Sequence, residues 1–273
     1  ANDGLLMVAW TCHDSATLST GIFGRIMHGD GSFATGDFRI NSDTAERQFS
    51  PRVAAAPDGT FVVGWIEEHA GDRAIFVRRM SALGEGLSGA VRVSGAAPPT
   101  DNDYSLVCGD GGVIAVTWDA EEMDGSGRDV VLHILGNDFA TAAFWRSDQG
   151  SDEARPDVAL LEDGSTVLVY SAWRSGWRIY ARAFSAGGAA GEAWRVWEES
   201  FSGSPHPWIA SRAGTNRFLI LHGDQAQWFT APEAPDDDLL MLAHGLGPID
   251  MSAAGRFVTD SGGVYDADGT EQG

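Results

Sequence analysis

Apolar and polar residues alternate along the chain in short runs that are bounded by Gly, Pro and Asp. Residues 51–65 and 156–170 follow the same order: a Pro, a Val-Ala strand, an Asp-Gly turn, and an apolar strand that ends in an aromatic residue. Weaker copies begin at Ser105 and at Pro207. Alternation with a period of two between turn residues predicts β-strands with one face in a core. The chain is therefore predicted to repeat a unit of paired strands.

Each unit contains four predicted strands. The second strand ends on a residue that recurs every 51–55 positions, at Trp10, Trp65, Trp118, Tyr170 and Leu221. Third strands follow at residues 22–27, 75–80, 130–135 and 179–184, and fourth strands at 38–40, 91–93, 144–146 and 194–196. Asp58-Gly59 and Asp163-Gly164 lie where a two-residue hairpin turn needs positive φ, so the first two strands are expected to be antiparallel neighbours. A unit of this length is typical of a four-stranded propeller blade.

The pattern predicts an all-β fold, a β-propeller of five four-stranded blades in a single domain of residues 1–273. The approximate blades are 1–50 with 262–269, 51–104, 105–155, 156–206 and 207–260. Residues 2–10 match only the second half of the unit, and residues 263–269 resemble the missing strand. The N- and C-terminal strands are therefore expected to close the ring within one blade. Residues 248–252 and 256–259 leave six blades as the alternative.

Four of the units resemble a bacterial propeller repeat of the form Pro-x-Val-Ala, Asp-Gly, Phe-Val-Val-x-Trp, Ile-x-x-Arg-Phe. Residues 162–180 also resemble the TolB-type unit. The resemblance covers most of residues 1–225 and implies blades of the kind found in large secreted and surface proteins of bacteria. It implies no particular activity, because one fold supports many functions.

Charge and composition narrow the function classes. A formal net charge of −21 disfavours nucleic acid and anionic membranes as partners, because binding them needs clustered Lys and Arg. No apolar run approaches the roughly 20 residues that cross a bilayer, so no membrane insertion is expected. Cys12 and Cys108 form neither a disulfide framework nor a metal-binding spacing. A secreted or periplasmic bacterial protein is favoured, with any signal peptide already removed or never present.

One face of a propeller carries the loops between second and third strands together with the loops that join blades. Trp173 and Trp177 lie in such a loop with Arg174, and suit a carbohydrate platform because tryptophan faces stack on sugar rings and guanidinium groups donate to hydroxyls. Packing beneath the blade rim is the other interpretation of these tryptophans. The blade-joining loops add further ligand-binding candidates, Arg47, Tyr104 and Arg155.

The same face offers two kinds of metal site. His13, His69 and His222 follow the second strand in three units, and imidazoles beside carboxylates suit zinc or another first-row transition metal. Asp119, Glu121 and Asp124 belong to an acidic, Gly-containing loop with the oxygen ligands that calcium prefers. Solvated histidines and a solvated acidic loop are the alternatives.

The leading functional hypothesis is a binding module that recognises a carbohydrate or protein partner at this acidic loop face. A metal-dependent hydrolase or other enzyme using loop His and carboxylates is the first alternative. The inner strands are small and apolar and lack the paired acids of a glycosidase, so whether any reaction is catalysed stays open. The second alternative is an architectural module of a larger repeat protein or assembly.

Overall fold

The structure, a computed structural model, describes residues 4–14, 19–42, 45–95, 97–121, 127–147, 150, 152–197, 200–223, 225–231, 234–241, 250–251, 257–258 and 264–265. These residues form strands joined by turns, with a short 3-10 segment at Asp110–Gly112 and no α-helix among them. The prediction of an all-β protein is confirmed.

The strands of the described residues form six sheets, and within each sheet every strand is hydrogen-bonded to the next strand along the chain. The first sheet contains β1 (Leu5–Asp14), β2 (Ser19–His28) and β3 (Phe38–Arg39), and the second contains β4 (Arg47–Ala55), β5 (Phe61–His69), β6 (Asp72–Met80) and β7 (Val91–Arg92). The third contains β8 (Pro99–Cys108), β9 (Ile114–Glu121), β10 (Arg128–Leu135) and β11 (Thr141–Arg146), and the fourth contains β12 (Glu153–Leu160), β13 (Thr166–Trp173), β14 (Trp177–Phe184) and β15 (Ala190–Arg195). The fifth contains β16 (Trp208–Ser211), β17 (Arg217–His222), β18 (Gln225–Thr230) and β19 (Ala234–Met241), and the sixth contains β20 (Asp250–Met251), β21 (Phe257–Val258) and β22 (Val264–Tyr265).

The chain divides into two compact units. Unit 1 comprises Ala1–Val116 and His133–Thr141, and unit 2 comprises Thr117–Leu132 and Ala142–Gly273. The single domain of residues 1–273 stays a prediction. Each unit has its own apolar cluster, and the cluster of unit 1 includes Trp65, one copy of the recurrent aromatic residue.

The core of unit 1 is built from the apolar faces of β2, β5 and β6. Trp65 is 1% exposed and stacks on Phe76 with 6.1 Å between ring centroids. Trp10, at the equivalent repeat position, is partly exposed and belongs to β1, an edge strand of its three-stranded sheet. The shared sequence position therefore does not give every copy the same burial, because burial depends on the strands that lie on either side.

The core of unit 2 contains the remaining copies of that position. Trp118, Tyr170 and Leu221 are all buried. Phe218 stacks on Phe229 with 5.4 Å between ring centroids, and both belong to a cluster that includes residues of β13, β14 and β17. Burial of such aromatic side chains supplies much of the stabilisation of a sheet packed on another sheet.

The hairpin turns between first and second strands are longer than the two-residue turn expected from sequence. Gly59 donates to the Ala56 carbonyl and Gly164 to the Leu161 carbonyl, and these glycines have φ of 84° and 79°. Each turn is a three-residue loop in which a tight turn is completed by one left-handed glycine. The antiparallel pairing of the flanking strands is nevertheless as predicted, since β4 pairs with β5 and β12 pairs with β13.

A β-bulge interrupts the first strand at equivalent places in the second and fourth sheets. The register shifts between Phe49 and Arg52 in β4, and between Ala154 and Asp157 in β12. Ser50 and Arg155, each followed by Pro, have φ of 52° and 55°, a conformation that non-glycine residues adopt infrequently. A bulge re-aims the side chain that it carries, and in β12 it leaves Arg155 exposed.

The C-terminal segment that was predicted to close the ring pairs, where it is described, within a sheet of its own. Of the segment 263–269, Val264 and Tyr265 are described, and they form β22, which pairs with β21. β20 and β21 coincide with the segments that suggested a sixth blade. The described residues therefore form a sixth sheet there, while the number of blades and ring closure through β1 stay predictions.

Candidate functional site

The predicted carbohydrate platform lies on a tight hairpin in unit 2. Trp173 ends β13 and Trp177 begins β14, and the two residues pair across the hairpin. Ser175 and Gly176 have φ of 57° and 139°, and the amide of Arg174 donates to the Gly176 carbonyl at 3.0 Å. The turn therefore places both tryptophans at one end of the fourth sheet on a short, hydrogen-bonded backbone.

The two indole rings meet edge to face. Their centroids are 6.0 Å apart and their planes are inclined by 74°. Trp173 is 48% exposed, while Trp177 is half-buried. One tryptophan thus supports the other, because an edge-to-face contact restrains the exposed ring while leaving area open to solvent.

Arg174 holds this turn from beneath. Its Nη2 donates to Glu153 Oε1 at 2.6 Å, and its guanidinium lies 5.8 Å from the centroid of the Tyr180 ring. Arg178 Nη1 donates to the Arg174 carbonyl at 2.6 Å. The sequence suggested that Arg174 would donate to a ligand. The structure shows it as an anchor of the turn, and its donation to a ligand stays a prediction.

Glu153 is the buried end of that anchor. Its side chain is 0% exposed, and burial raises its pKa, while the Ser147 hydroxyl and the Arg174 guanidinium act in the opposite direction. A buried carboxylate is stable when a cation with good geometry faces it. Sequence reasoning missed this anchor, although Glu153 aligns with Gln48 of the earlier repeat, which is also 0% exposed.

A second polar cluster surrounds the bulge in β12. Asp119, which is 2% exposed, accepts hydrogen bonds from the Arg155 amide at 2.8 Å and from Arg128 Nη1 at 3.2 Å. Arg128 also donates to Asp152. The carboxylate of Asp119 therefore supports the left-handed backbone of Arg155. The guanidinium of Arg155 makes no hydrogen bond or ion pair with any residue that the structure describes.

Two predicted ligand-binding residues lie in unit 1 and have other environments. Tyr104 is 2% exposed and its hydroxyl donates to the Ser50 carbonyl at 2.9 Å, and burial raises its pKa. The prediction that Tyr104 contacts a surface ligand is wrong, since its hydroxyl is occupied in the interior. Arg47 is exposed, lies over the Phe49 ring at 4.8 Å, and has Glu68 at 3.9 Å.

The predicted metal ligands are distributed over both units. In unit 1, His13 is exposed, and His69 Nδ1 lies 2.5 Å from Glu46 Oε1, a hydrogen bond that raises the pKa of His69. In unit 2, His222 Nδ1 lies 3.2 Å from the His206 carbonyl oxygen. Glu121 is exposed, and Asp124 lies outside the described residues.

Over the described part of the chain, no three His, Cys, Asp or Glu side chains are grouped closely enough to hold a metal ion. A transition-metal or calcium site stays a prediction. Asp119 has a definite role of a different kind, because both of its carboxylate oxygens accept hydrogen bonds from Arg128 and Arg155.

Aromatic residues on the neighbouring sheet of unit 2 extend from the tryptophan hairpin. Phe201 donates its amide to the Trp177 carbonyl at 2.8 Å, and its ring meets His222 edge to face with 4.7 Å between centroids. Sequence reasoning missed Phe201. It precedes β16 in an irregular segment with no period to mark it.

Comparison with known proteins identifies the fold. No protein-family model matches the chain, and no curated protein matches it.

No helix among the described residues has the length and apolar character needed to cross a membrane.

Several solved structures are similar despite low identity. The β-propeller domain of the Trilobed protease from Pyrococcus furiosus has a TM-score of 0.57 at 12% identity, covering 98% of this chain and 81% of that one. The Hadza microbial sialidase Hz136 has a TM-score of 0.56 at 11% identity and covers 96% of this chain, which spans 61% of the sialidase's length. An α-L-arabinanase from Penicillium chrysogenum, solved with arabinobiose, has a TM-score of 0.53 at 12% identity, covering 80% and 78%. These similarities show that the chain has a β-propeller fold.

Proposed function

We propose that this protein is a carbohydrate-binding module, secreted or periplasmic, whose ligand stacks on Trp173. The observation that carries the proposal is a large aromatic side chain, 48% exposed, held by an edge-to-face partner on a three-residue turn. An exposed tryptophan costs solvation free energy that a core tryptophan does not, so a fixed and exposed one favours a binding role.

The support beneath the hairpin strengthens the proposal. Glu153 fixes Arg174, and Arg178 fixes the carbonyl of the same residue. A restrained turn loses little conformational freedom when a ligand docks, and this pre-organisation increases affinity. Trp173 has two side-chain torsions to restrict, which adds to the same effect.

The names of similar structures are consistent with this class of ligand. A sialidase and an arabinanase are proteins that act on carbohydrates, and the arabinanase was solved with arabinobiose. Sequence identities of 11% and 12% support a shared fold and nothing about a shared ligand. The names therefore serve only to choose the sugars for the first binding experiment.

The test is binding of the purified chain to an array of mono- to hexasaccharides of arabinose, galactose and glucose, with sialic-acid-capped chains. Calorimetry then compares the wild type with Trp173→Ala on the sugars that bind. We expect Trp173→Ala to weaken binding at least about tenfold, as removal of a central aromatic contact does.

Phe144→Ala is the matched control, because Phe144 is also aromatic, also in unit 2 and 50% exposed, but belongs to β11. It should bind like the wild type. Equal affinities for wild type and Trp173→Ala would refute the stacking proposal, as would an array on which no sugar binds.

A protein partner, a metal-dependent hydrolase or another enzyme, and an architectural module of a larger chain stay predictions. Elemental analysis of the purified protein bears on the metal hypothesis, with His69→Ala as the variant to compare. For the fold, we propose six blades, supported by the six sheets of the described residues. An experimental structure with five blades would contradict that number.

A further inference from the structure

The aromatic contacts of unit 2 continue past the tryptophan hairpin onto the fifth sheet. Trp177 is joined to Phe201 by a backbone hydrogen bond, and the Phe201 ring packs edge to face on His222. The ring of His206 lies 3.7 Å from that of Trp208, inclined by 39°. The carbonyl oxygen of His206 lies 3.2 Å from Nδ1 of His222. These four residues, Phe201, His206, Trp208 and His222, are called the second aromatic cluster.

The second aromatic cluster lies at one end of the fifth sheet, and the tryptophan hairpin lies at the equivalent end of the fourth sheet. His222 ends β17 just as Trp173 ends β13, and Trp208 begins β16, pairing with Leu221. Antiparallel pairing brings the start of one strand beside the end of the next. The repeat therefore places the second aromatic cluster at this end of the fifth sheet. The backbone hydrogen bond between Phe201 and Trp177 connects it to the tryptophan hairpin.

Burial alone does not account for the cluster. All four of its side chains are partly exposed, although the Phe201 ring also packs against the core of unit 2. The residues beside it are small and exposed, Ser202, Gly203 and Gly223. A side-chain carbon placed on Gly203 or Gly223 would meet no atom within 4 Å. Rings with a partly open face and small neighbours can accept a flat ligand.

We propose that the second aromatic cluster is a second sugar-ring subsite, so that the ligand is an oligosaccharide and not a monosaccharide. This inference rests on the proposed function, in which the first ring stacks on Trp173. A sugar ring presents an apolar C–H face, which aromatic rings cover by stacking on it. Two subsites joined by one ligand reinforce each other, because the second ring binds at high effective concentration.

The experiment measures dissociation constants by calorimetry for the mono- to hexasaccharide series of the sugar that binds best on the array. For the wild type we expect affinity to increase about three- to tenfold when the ligand becomes long enough to reach the second subsite, the gain of one further aromatic contact. It should then change little with added length.

His206→Ala and Phe201→Leu test the cluster. His206 lies outside a strand, and leucine keeps apolar volume against the core, so circular dichroism should show both variants folded. Both are expected to bind the shortest sugar like the wild type and to lose the three- to tenfold gain with length. Trp173→Ala should weaken binding at every length.

The two ways of failing are distinct. Binding that needs Trp173 but is independent of ligand length, or that keeps its length dependence in both cluster variants, would overturn the second subsite and leave the proposed function intact. If Trp173→Ala binds every sugar with the affinity of the wild type, the proposed function is overturned, and the second subsite is overturned with it.

Discussion

The ion pair beneath the tryptophan hairpin should respond very differently to removal of its two partners. The side chain of Glu153 is 0% exposed, while that of Arg174 is 30% exposed, and they are 2.6 Å apart. Loss of Arg174 leaves a carboxylate in the interior without a cation. Loss of the Glu153 charge leaves a guanidinium that water already reaches.

The magnitudes follow from these exposures. Arg174→Ala should lower the free energy of unfolding at pH 7 by about 3–5 kcal/mol, the cost of an uncompensated buried charge. Glu153→Gln should change it by less than about 1 kcal/mol, because a neutral amide avoids the desolvation of a carboxylate. The chain itself carries Gln48 at the equivalent position of β4, also fully buried.

The pH dependence has a definite sign. Burial holds the pKa of Glu153 above its ordinary value of 4.5, so the folded state binds this proton more tightly than the unfolded state. Neutral Glu153 therefore makes its full contribution to the free energy of unfolding below pH 4.5, and this contribution is lost as the pH increases through the raised pKa. Arg174→Ala removes an interaction that lowers this pKa, so the loss with increasing pH should become larger, whereas Glu153→Gln should abolish it.

Urea unfolding at pH values from about 4 to 8 measures these differences for the wild type, both single variants and the double variant. The double variant should match Glu153→Gln, because the neutral amide that replaces the carboxylate needs no cation. The reasoning is refuted if Arg174→Ala costs less than Glu153→Gln at pH 7, or if the double variant is as unstable as Arg174→Ala.

Two further variants test the placement of predicted site and turn residues. Tyr104→Phe should cost about 1 kcal/mol in urea unfolding, the typical contribution of one buried hydrogen bond, and should leave sugar affinity unchanged; weakened binding would return Tyr104 to the site. Gly164→Ala should cost about 1 kcal/mol by the same assay, since Gly164 has φ of 79° and L-residues are strained there. Gly203→Ala is its control and should unfold like the wild type, and equal stability of the two variants would contradict the turn assignment.

Local sequence signals identified most of the strands. The Val-Ala and Phe-Val-Val runs beside Asp58-Gly59 alternate with the period of two that a strand requires, and β4 and β5 form there. The turn itself was predicted one residue too short. Asp58 explains the extra residue, because its carboxylate accepts hydrogen bonds from the amide and the hydroxyl of Thr60 and these bonds stabilise a longer turn. The same hydrogen bonds lower the pKa of Asp58.

The site was predictable in part. Two tryptophans four residues apart in a short loop indicated a platform, and Trp173 is exposed. The role of Arg174 was not predictable, because Glu153, its partner, lies 21 residues earlier on another strand. Tyr104 was placed on the surface by its position in a blade-joining segment, whereas its ring is buried.

The sequence by itself determined the repeat, the strand positions and the recurrent aromatic residue, because each depends on neighbours within a few positions of the chain. Only the tertiary structure decided which copies of that residue are buried, which arginine anchors a carboxylate, and where Val264 and Tyr265 pair. Burial, ion pairing and strand partners depend on residues distant in sequence, and the same local pattern is compatible with several such arrangements.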